Sequence, residues 1–196
     1  SLSNNNVSGS LYNTVFGKKA GNALASGGNA NVHIGENSGL FNATGLDNVT
    51  IGISAMKNLP DGDQNVVIGS EAMLAQDSSA SGLKDVVAIG YRAFYGTAAG
   101  TSAPDGTVAI GSLALNALTE GIGNVAVGFE ALKVNTDGDY NTAIGHQALT
   151  AQAGQSGTVA NTAVGHHALK RLTSGTMNTA VGQASQDYNR TGVNNT

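Results

Sequence analysis

Three of the four histidines in this chain lie in two successive copies of one short phrase. His146 and His166 each come directly after the glycine of the phrase, and His167 follows His166. A neutral imidazole is a common ligand of zinc and related ions, and several imidazoles together make a stronger site. His146 and His166 are therefore candidate metal ligands. The competing interpretation, which we favour, is a ladder of surface histidines, and we predict neither a resident metal nor a cofactor.

Two Asp-Gly-Asp turns are the other candidates for metal binding. They run from Asp61 to Asp63 and from Asp137 to Asp139, and each lies at the same distance before a later glycine. Calcium takes about six to eight oxygen ligands. The two turns are four repeats apart along the chain, so they cannot share one ion. We interpret both as plain turns and keep Asp137 and Asp139 as the candidate calcium ligands.

The remaining acidic residues form no catalytic pattern. Glycoside cleavage needs two carboxylates about 5–10 Å apart. Four acids outside the turns are scattered along the chain and form no such pair: Glu71, Glu120, Glu130 and Asp187. The chain has no cysteine and no Gly-x-Ser-x-Gly nucleophile motif, so we predict that it is not an enzyme. Only 11% of the residues are charged and the net charge is −4. The sequence has no basic run and no long apolar run, which argues against nucleic-acid binding and membrane insertion.

A glycine recurs at a nearly constant interval through the whole chain. Seventeen residues separate most neighbouring copies, and the other intervals are one to four residues longer. A fixed short period of this kind is typical of a solenoid, in which each repeat forms one coil. The ten glycines are Gly17, Gly35, Gly52, Gly69, Gly90, Gly111, Gly128, Gly145, Gly165 and Gly182.

The residues before each glycine predict a short β-strand. Counted from the glycine as position 0, position −3 is always β-branched and position −1 is always large and apolar. This period of two is typical of a strand, and we expect position −1 to point into the coil. Ile144 should then stack in the core between Val127 and Val164. The predicted core residues at position −1 are Ile51, Ile68, Ile89, Ile110, Val127, Ile144, Val164 and Val181.

The rest of the repeat predicts a bend, a second buried segment and a polar turn. Glycine suits the bend because it tolerates a positive φ. Position +3 is small and position +4 is usually large and apolar, so we expect two strands and two turns in each coil. Position −4 is asparagine in eight of the ten copies, and stacked coils would join these amides in a ladder about 4.8 Å apart. The asparagines assigned to this structural role are Asn48, Asn65, Asn124, Asn141, Asn161 and Asn178.

The longer intervals predict loops that leave the solenoid. They lie between Met73 and Val86, between Phe94 and Thr107, and between Leu149 and Asn161. Binding residues are often found in such loops. The first two loops, 76–84 and 95–106, fall in consecutive coils and should protrude side by side. We select Lys84, Tyr95 and Asp105 from them as candidate receptor contacts, and tolerated decoration is the alternative.

The phrase from Asn141 to Leu149, Asn-Thr-Ala-Ile-Gly-His-Gln-Ala-Leu, resembles the repeat of trimeric phage tail-fibre proteins and the YadA-like head repeat of trimeric autotransporter adhesins. The resemblance covers the chain from Tyr12 to Thr196. It implies a left-handed parallel β-roll, three parallel chains around one axis, and attachment to a cell surface. The chain departs from the adhesin head by its longer period and by lacking a neck and a heptad stalk, which favours the tail-fibre type.

We therefore expect an all-β fold: a left-handed parallel β-roll, or β-solenoid, of about ten 17-residue coils that assembles as a parallel homotrimer. Small residues at positions −2 and +3 support the homotrimer because they allow another surface to approach closely. Residues 1–196 should form a single repeat domain. Asn195 and Thr196 would occupy positions −4 and −3 of an eleventh copy, so we interpret the chain as a fragment of a longer fibre.

The expected function is that of a structural and attachment segment of a trimeric surface fibre, on a phage virion tail or a bacterial cell surface. Its partners would be two further copies of itself and a glycan or protein on a host or target cell. One alternative is the head of a trimeric autotransporter adhesin, and another is a polysaccharide-cleaving spike. Ice binding through Thr142, Thr162 and Thr179 is a third, but three threonines make a short array.

Overall fold

The computed structural model describes residues 2–3, 10–74, 82–96, 104–153 and 155–196 of the 196-residue chain. These residues form a β-solenoid and contain no helix. Each described repeat contributes a strand of three residues that covers positions −3 to −1. The strands are β1 (Leu2–Ser3), β2 (Thr14–Phe16), β3 (Val32–Ile34), β4 (Val49–Ile51), β5 (Val66–Ile68), β6 (Val87–Ile89), β7 (Val108–Ile110), β8 (Val125–Val127), β9 (Gly138–Asp139), β10 (Thr142–Ile144), β11 (Gly157–Thr158), β12 (Thr162–Val164) and β13 (Thr179–Val181).

Equivalent positions of neighbouring repeats pair in register along one sheet. Among the described residues, ten parallel strands follow the order β2 to β8, β10, β12 and β13, and β1 lies antiparallel beside β2. Ile144, for example, pairs with Val127 in the preceding coil and with Val164 in the following coil. A second, two-stranded sheet pairs β9 with β11. The prediction of an all-β parallel solenoid is confirmed.

The prediction of which strand face is buried was wrong. Position −2 points into the coil, and in the single chain it is fully buried from His33 to Ala163. Positions −3 and −1 point outward: Ile144 is 40% exposed and Val181 is 68% exposed. The residues predicted as core therefore lie on the outer face of the sheet, half-buried or exposed: Ile51, Ile68, Ile89, Ile110, Val127, Ile144, Val164 and Val181.

The opposite wall of the coil explains this reversal. The large side chains at position +4, such as Met56, Phe94 and Leu149, are fully buried and fill most of the interior. The small residues at −2 and +3, which were expected to let another chain approach closely, face this interior instead, and leucines such as Leu59 and Leu118 close the core at position +7. The inner face holds alanine at position −2 from Ala88 to Ala180, but Thr50 and Val67 are buried there in earlier coils. The large side chains at +4 therefore limit the room at −2, and close packing favours a small residue there in most coils.

The segment after the glycine is a series of turns in the described repeats, and the second strand predicted for each coil occurs in them only as β9 and β11, which lie before the glycine. Its backbone alternates, with left-handed φ values at positions +2 and +4, as at Glu71 (56°) and Met73 (51°). The segment is still tied to its neighbours. The Met73 N–H donates to the Ala93 carbonyl at 3.0 Å, and the Glu71 N–H donates to the Ile53 carbonyl at 2.9 Å.

The recurring glycine is required for two reasons. Gly52 has a φ of +134°, a region that other residues rarely adopt. A Cβ atom at Gly52 would also lie 2.6 Å from the carbonyl oxygen of Gly69 in the next coil. The glycines therefore form a column in which successive backbones approach too closely for any side chain.

The asparagines at position −4 form the predicted ladder inside the coil. The backbone N–H and the side-chain Nδ2 of Asn48 both donate to Oδ1 of Asn31, each at 3.0 Å, and Nδ2 also donates to the Gly62 carbonyl at 2.6 Å. Both amide-to-amide bonds recur where Asn65 donates to Asn48, Asn141 to Asn124, Asn178 to Asn161 and Asn195 to Asn178. Asn161 donates to Asn141 through its backbone N–H.

Candidate binding surfaces

The first candidate surface is the outer face of the sheet, which we call the outer stripe. It consists of positions −3 and −1 of the ten parallel strands, from Thr14 and Phe16 to Thr179 and Val181. Every member is apolar or a threonine, so the stripe carries no charge along a length of roughly 45 Å. The threonines Thr142, Thr162 and Thr179 stack in register at its C-terminal end. A continuous uncharged stripe of this length is typical of an interaction surface.

The second candidate surface lies at positions +1 and +2, just after the glycine column. We call its central group the edge patch: Glu71, Tyr91 and Arg92 from these positions, and Tyr95 from position +5 of the same coil as Arg92. The Arg92 guanidinium lies 5.2 Å from the Tyr91 ring centroid and 5.0 Å from that of Tyr95. Its Nε donates to Glu71 Oε2 at 2.6 Å, and this bond raises the pKa of Arg92. The patch therefore presents two aromatic rings around a guanidinium of fixed orientation.

Of the three residues predicted as receptor contacts, Tyr95 belongs to this edge patch through its contact with Arg92. Lys84 and Asp105 lie at another place, where the two insertions return to the solenoid. The Lys84 N–H donates to Asp105 Oδ1 at 2.9 Å, and the Gly106 N–H donates to the Lys84 carbonyl at 3.3 Å. The two insertions are therefore neighbours at their C-terminal ends. Residues 75–81 and 97–103, which make up most of the predicted loops, lie outside the described residues.

Asp105 also has a structural role that the sequence prediction missed. It occupies position −6, like Asp63 and Asp139. In each case the carboxylate Oδ1 accepts the backbone N–H at position −6 of the preceding coil: Leu46 to Asp63 at 2.8 Å, Lys84 to Asp105 at 2.9 Å and Ile122 to Asp139 at 2.9 Å. In the first coils Asn29 Oδ1 accepts the Leu11 N–H in the same way. The recurrence of Asp or Asn at this offset was the sequence signal for a second, outer ladder.

The candidate calcium ligands Asp137 and Asp139 lie together beside a surface cavity of about 230 Å³ that Glu120 also lines. Asp137 already accepts two hydrogen bonds, from Thr119 Oγ1 at 2.7 Å and from Thr136 Oγ1 at 3.0 Å. Asp139 is bonded to the Ile122 N–H at 2.9 Å. Both carboxylates thus act as hydrogen-bond acceptors that hold turns of adjacent coils, as in the turn interpretation.

Replacing Asp139 by asparagine should change the free energy of unfolding by less than about 0.5 kcal/mol, because the amide keeps the Oδ1 acceptor. Replacing it by alanine should cost about 1–2 kcal/mol, because the Ile122 N–H then loses its partner. Urea unfolding of both variants, with and without calcium, measures the two values. A calcium-dependent gain in stability that both variants lose would instead make Asp139 a calcium ligand.

The candidate metal ligands His146 and His166 stack one coil apart, with ring centroids 5.2 Å apart, as predicted for a ladder. The structure adds His167, whose ring centroid lies 3.7 Å from that of His166. One nitrogen from each of the three rings lies within 4.8 Å of the others. Strand alternation would place adjacent side chains on opposite sides, so the sequence analysis selected His146 and His166 and left His167 out. His167 instead has a left-handed φ of 60°, which turns its side chain to the same side as that of His166.

The fourth histidine, His33, lies at position −2 and is buried inside the coil. Its Nδ1 lies 2.6 Å from Thr50 Oγ1, and burial lowers its pKa to about 4. The ring is therefore neutral at physiological pH and belongs to the core.

Within the described residues, no helix is long and apolar enough to span a membrane.

The candidate surfaces are the outer stripe, the edge patch, the histidine cluster and the turns around position −6. No family model, no curated protein and no solved structure matches this chain.

Proposed function

We propose that this chain is a structural and attachment segment of a trimeric surface fibre that binds a host or target cell. The observation that carries the proposal is the outer stripe, an uncharged face that runs along all ten parallel strands of a rigid rod. The resemblance of the repeat phrase to tail-fibre and YadA-like repeats agrees with it. The head of a trimeric autotransporter adhesin remains the alternative, since it uses the same mechanism on a bacterial cell surface.

The outer stripe is suited to assembly because of its composition and its direction. Water-exposed rows of valine and isoleucine favour burial against another apolar surface. All the paired coils run in the same direction, so identical copies can pack side by side around an axis parallel to the rod. Three stripes that meet at such an axis bury one another along their whole length. The proposed assembly is therefore a parallel homotrimer of β-rolls, left-handed in each chain as the resemblance implies, in which the stripe forms the shared core.

The edge patch is suited to attachment. Tyrosine rings stack on the apolar faces of sugars, and a guanidinium or carboxylate binds their hydroxyl groups. Tyr91 is 47% exposed, and Arg92 is held in place by Glu71. A trimer presents three copies of this patch on one rigid support. Weak single contacts can then add up through avidity, which is the proposed mechanism of attachment to a cell-surface glycan or protein.

Replacing Ile89 by lysine tests whether the outer stripe forms the trimer interface. Ile89 lies in the middle of the outer stripe and is half-buried in the single chain, so the fold should survive while the trimer dissociates. Light scattering should give the mass of a trimer for the parent and of a monomer for the variant. Binding to intact cells and to arrays of surface glycans should fall by roughly a hundredfold or more in the variant, because avidity is lost.

Phe41 provides the matched control, because it is 51% exposed and lies at position +6, away from both the outer stripe and the surface at +1 and +2. Its replacement by lysine should leave both the trimer and the binding unchanged. A parent chain that is monomeric at micromolar concentration would contradict the assembly, and a trimer that binds none of the cells and glycans would contradict attachment. Release of reducing sugar from a bound polysaccharide would support the cleaving spike in place of a purely adhesive segment.

A further inference from the structure

We propose that His146, His166 and His167 form a binding site for one divalent transition-metal ion of the zinc, nickel and copper class. The site lies at positions +1 and +2 of two adjacent coils, on the same side of the solenoid as the edge patch. It is built within one chain, so it does not depend on assembly or on attachment.

The backbone places the three imidazoles together and holds them there. The His167 N–H donates to the His146 carbonyl at 3.0 Å, which joins the two coils directly beneath the side chains. The left-handed φ of His167 turns its ring beside that of His166. On the opposite side, the Phe129 ring stacks on His146 with centroids 5.1 Å apart and planes 25° apart. The rings are therefore supported by the preceding coil through Phe129 and by one another.

The distances fit a metal after small rotations of the side chains. The candidate nitrogens all lie within 4.8 Å of one another. Tetrahedral zinc with bonds of about 2.0–2.1 Å to nitrogen requires nitrogens about 3.4 Å apart. Changes in χ angles alone can supply the difference, because His146 and His166 are exposed and His167 is half-buried. Three imidazoles leave further coordination positions open to water or to an external ligand, and imidazole suits zinc, nickel and copper.

The charged groups around the histidine cluster have opposite effects on a bound cation. The Lys170 Nζ lies 3.4 Å from His167 Nε2 and would repel a cation. Asp187 acts in the opposite direction on His167, and Glu130 interacts with His146. Burial, Lys170 and the other two histidines together lower the pKa of His167.

The test uses the untagged chain after treatment with EDTA and dialysis at pH 7.5. Equilibrium dialysis against Zn²⁺ and, separately, Ni²⁺ should show one ion per chain. His146→Gln, His166→Gln and His167→Gln should each weaken binding by roughly tenfold or more. Circular dichroism checks the fold, which these surface positions should leave intact. Less than half an ion per chain, or unchanged affinity in any one of the three variants, would overturn the three-histidine site.

Two neighbouring cations separate a local metal site from general attraction of ions to the surface. Lys170→Gln removes the ammonium that contacts His167 and should tighten Zn²⁺ binding several-fold. Arg171→Gln removes the next positive charge along the chain, whose guanidinium lies over the Tyr188 ring at 4.7 Å. That variant should bind Zn²⁺ like the parent. An equal change in both variants would show that only the net surface charge matters and would contradict the assigned site.

Discussion

Replacing Asn48 by alanine is expected to lower the free energy of unfolding by about 3–5 kcal/mol, because the change leaves several buried polar groups without partners. The Asn65 N–H would lose its acceptor, Asn48 Oδ1, at 3.0 Å. The Gly62 carbonyl would lose the Asn48 Nδ2 donor at 2.6 Å. Both groups lie inside the coil, where each unpaired donor or acceptor costs about 1–3 kcal/mol. Urea unfolding followed by circular dichroism, at one fixed protein concentration, measures the loss.

Asn116 is the matched control for this variant. It is half-buried and outside the ladder, and its Nδ2 donates to the Arg92 carbonyl at 3.1 Å. Its replacement by alanine should cost about 1 kcal/mol or less. A similar loss for the two variants would mean that the ladder contributes no more than an ordinary surface hydrogen bond.

Replacing Gly52 by alanine is expected to cost about 4 kcal/mol or more, because the added methyl group meets the backbone of the next coil. The added Cβ would lie 2.6 Å from the Gly69 oxygen and 2.7 Å from its carbonyl carbon. These are backbone atoms of the next coil, so the coils must separate to make room. The φ of +134° adds strain for any residue with a Cβ. Thermal and urea unfolding should both show the loss.

Gly106 is a control that has a positive φ open to other residues and no close contact. Its φ is +64°, but a Cβ there would meet no described atom within 4 Å. It lies at position −5, where Gln64 and Tyr140 adopt φ values of 59° and 58°. Gly106→Ala should therefore cost about 1–2 kcal/mol at most. Equal losses at Gly52 and Gly106 would contradict the close approach of backbones in the glycine column.

Much of the solenoid could be predicted from local patterns. The interval between glycines predicts the coil, and the alternation at −3, −2 and −1 predicts a strand, because both depend on residues close together in the chain. The asparagine at −4 is a comparable case. An amide that recurs once per coil can only meet its own copies above and below, so the ladder that includes Asn48 and Asn65 follows from the repeat.

The structural role of Asp105, one of the receptor candidates, was not predicted. Asp105 was selected because it lies in an insertion, yet its carboxylate binds the Lys84 N–H as Asp63 binds that of Leu46. The insertion lengthens the interval between Asp105 and the preceding recurring glycine, Gly90. The interval between Asp105 and the following recurring glycine, Gly111, stays at six residues. Counting back from Gly111 would have shown it as a member of the −6 ladder.

The sequence by itself determined the period, the place of each strand and the residues that stack in register, because a repeat brings equivalent positions together whatever the coil's cross-section. Only the tertiary structure decided which strand face is inside. A period of two distinguishes two faces but does not orient them. The side chains of Met56, Phe94 and Leu149 occupy the interior from the opposite wall and limit the room at position −2, where alanine is the residue from Ala88 onward. The tertiary structure also decided that His167 joins His146 and His166, because that depends on the left-handed φ of one residue and on the stacking of the next coil.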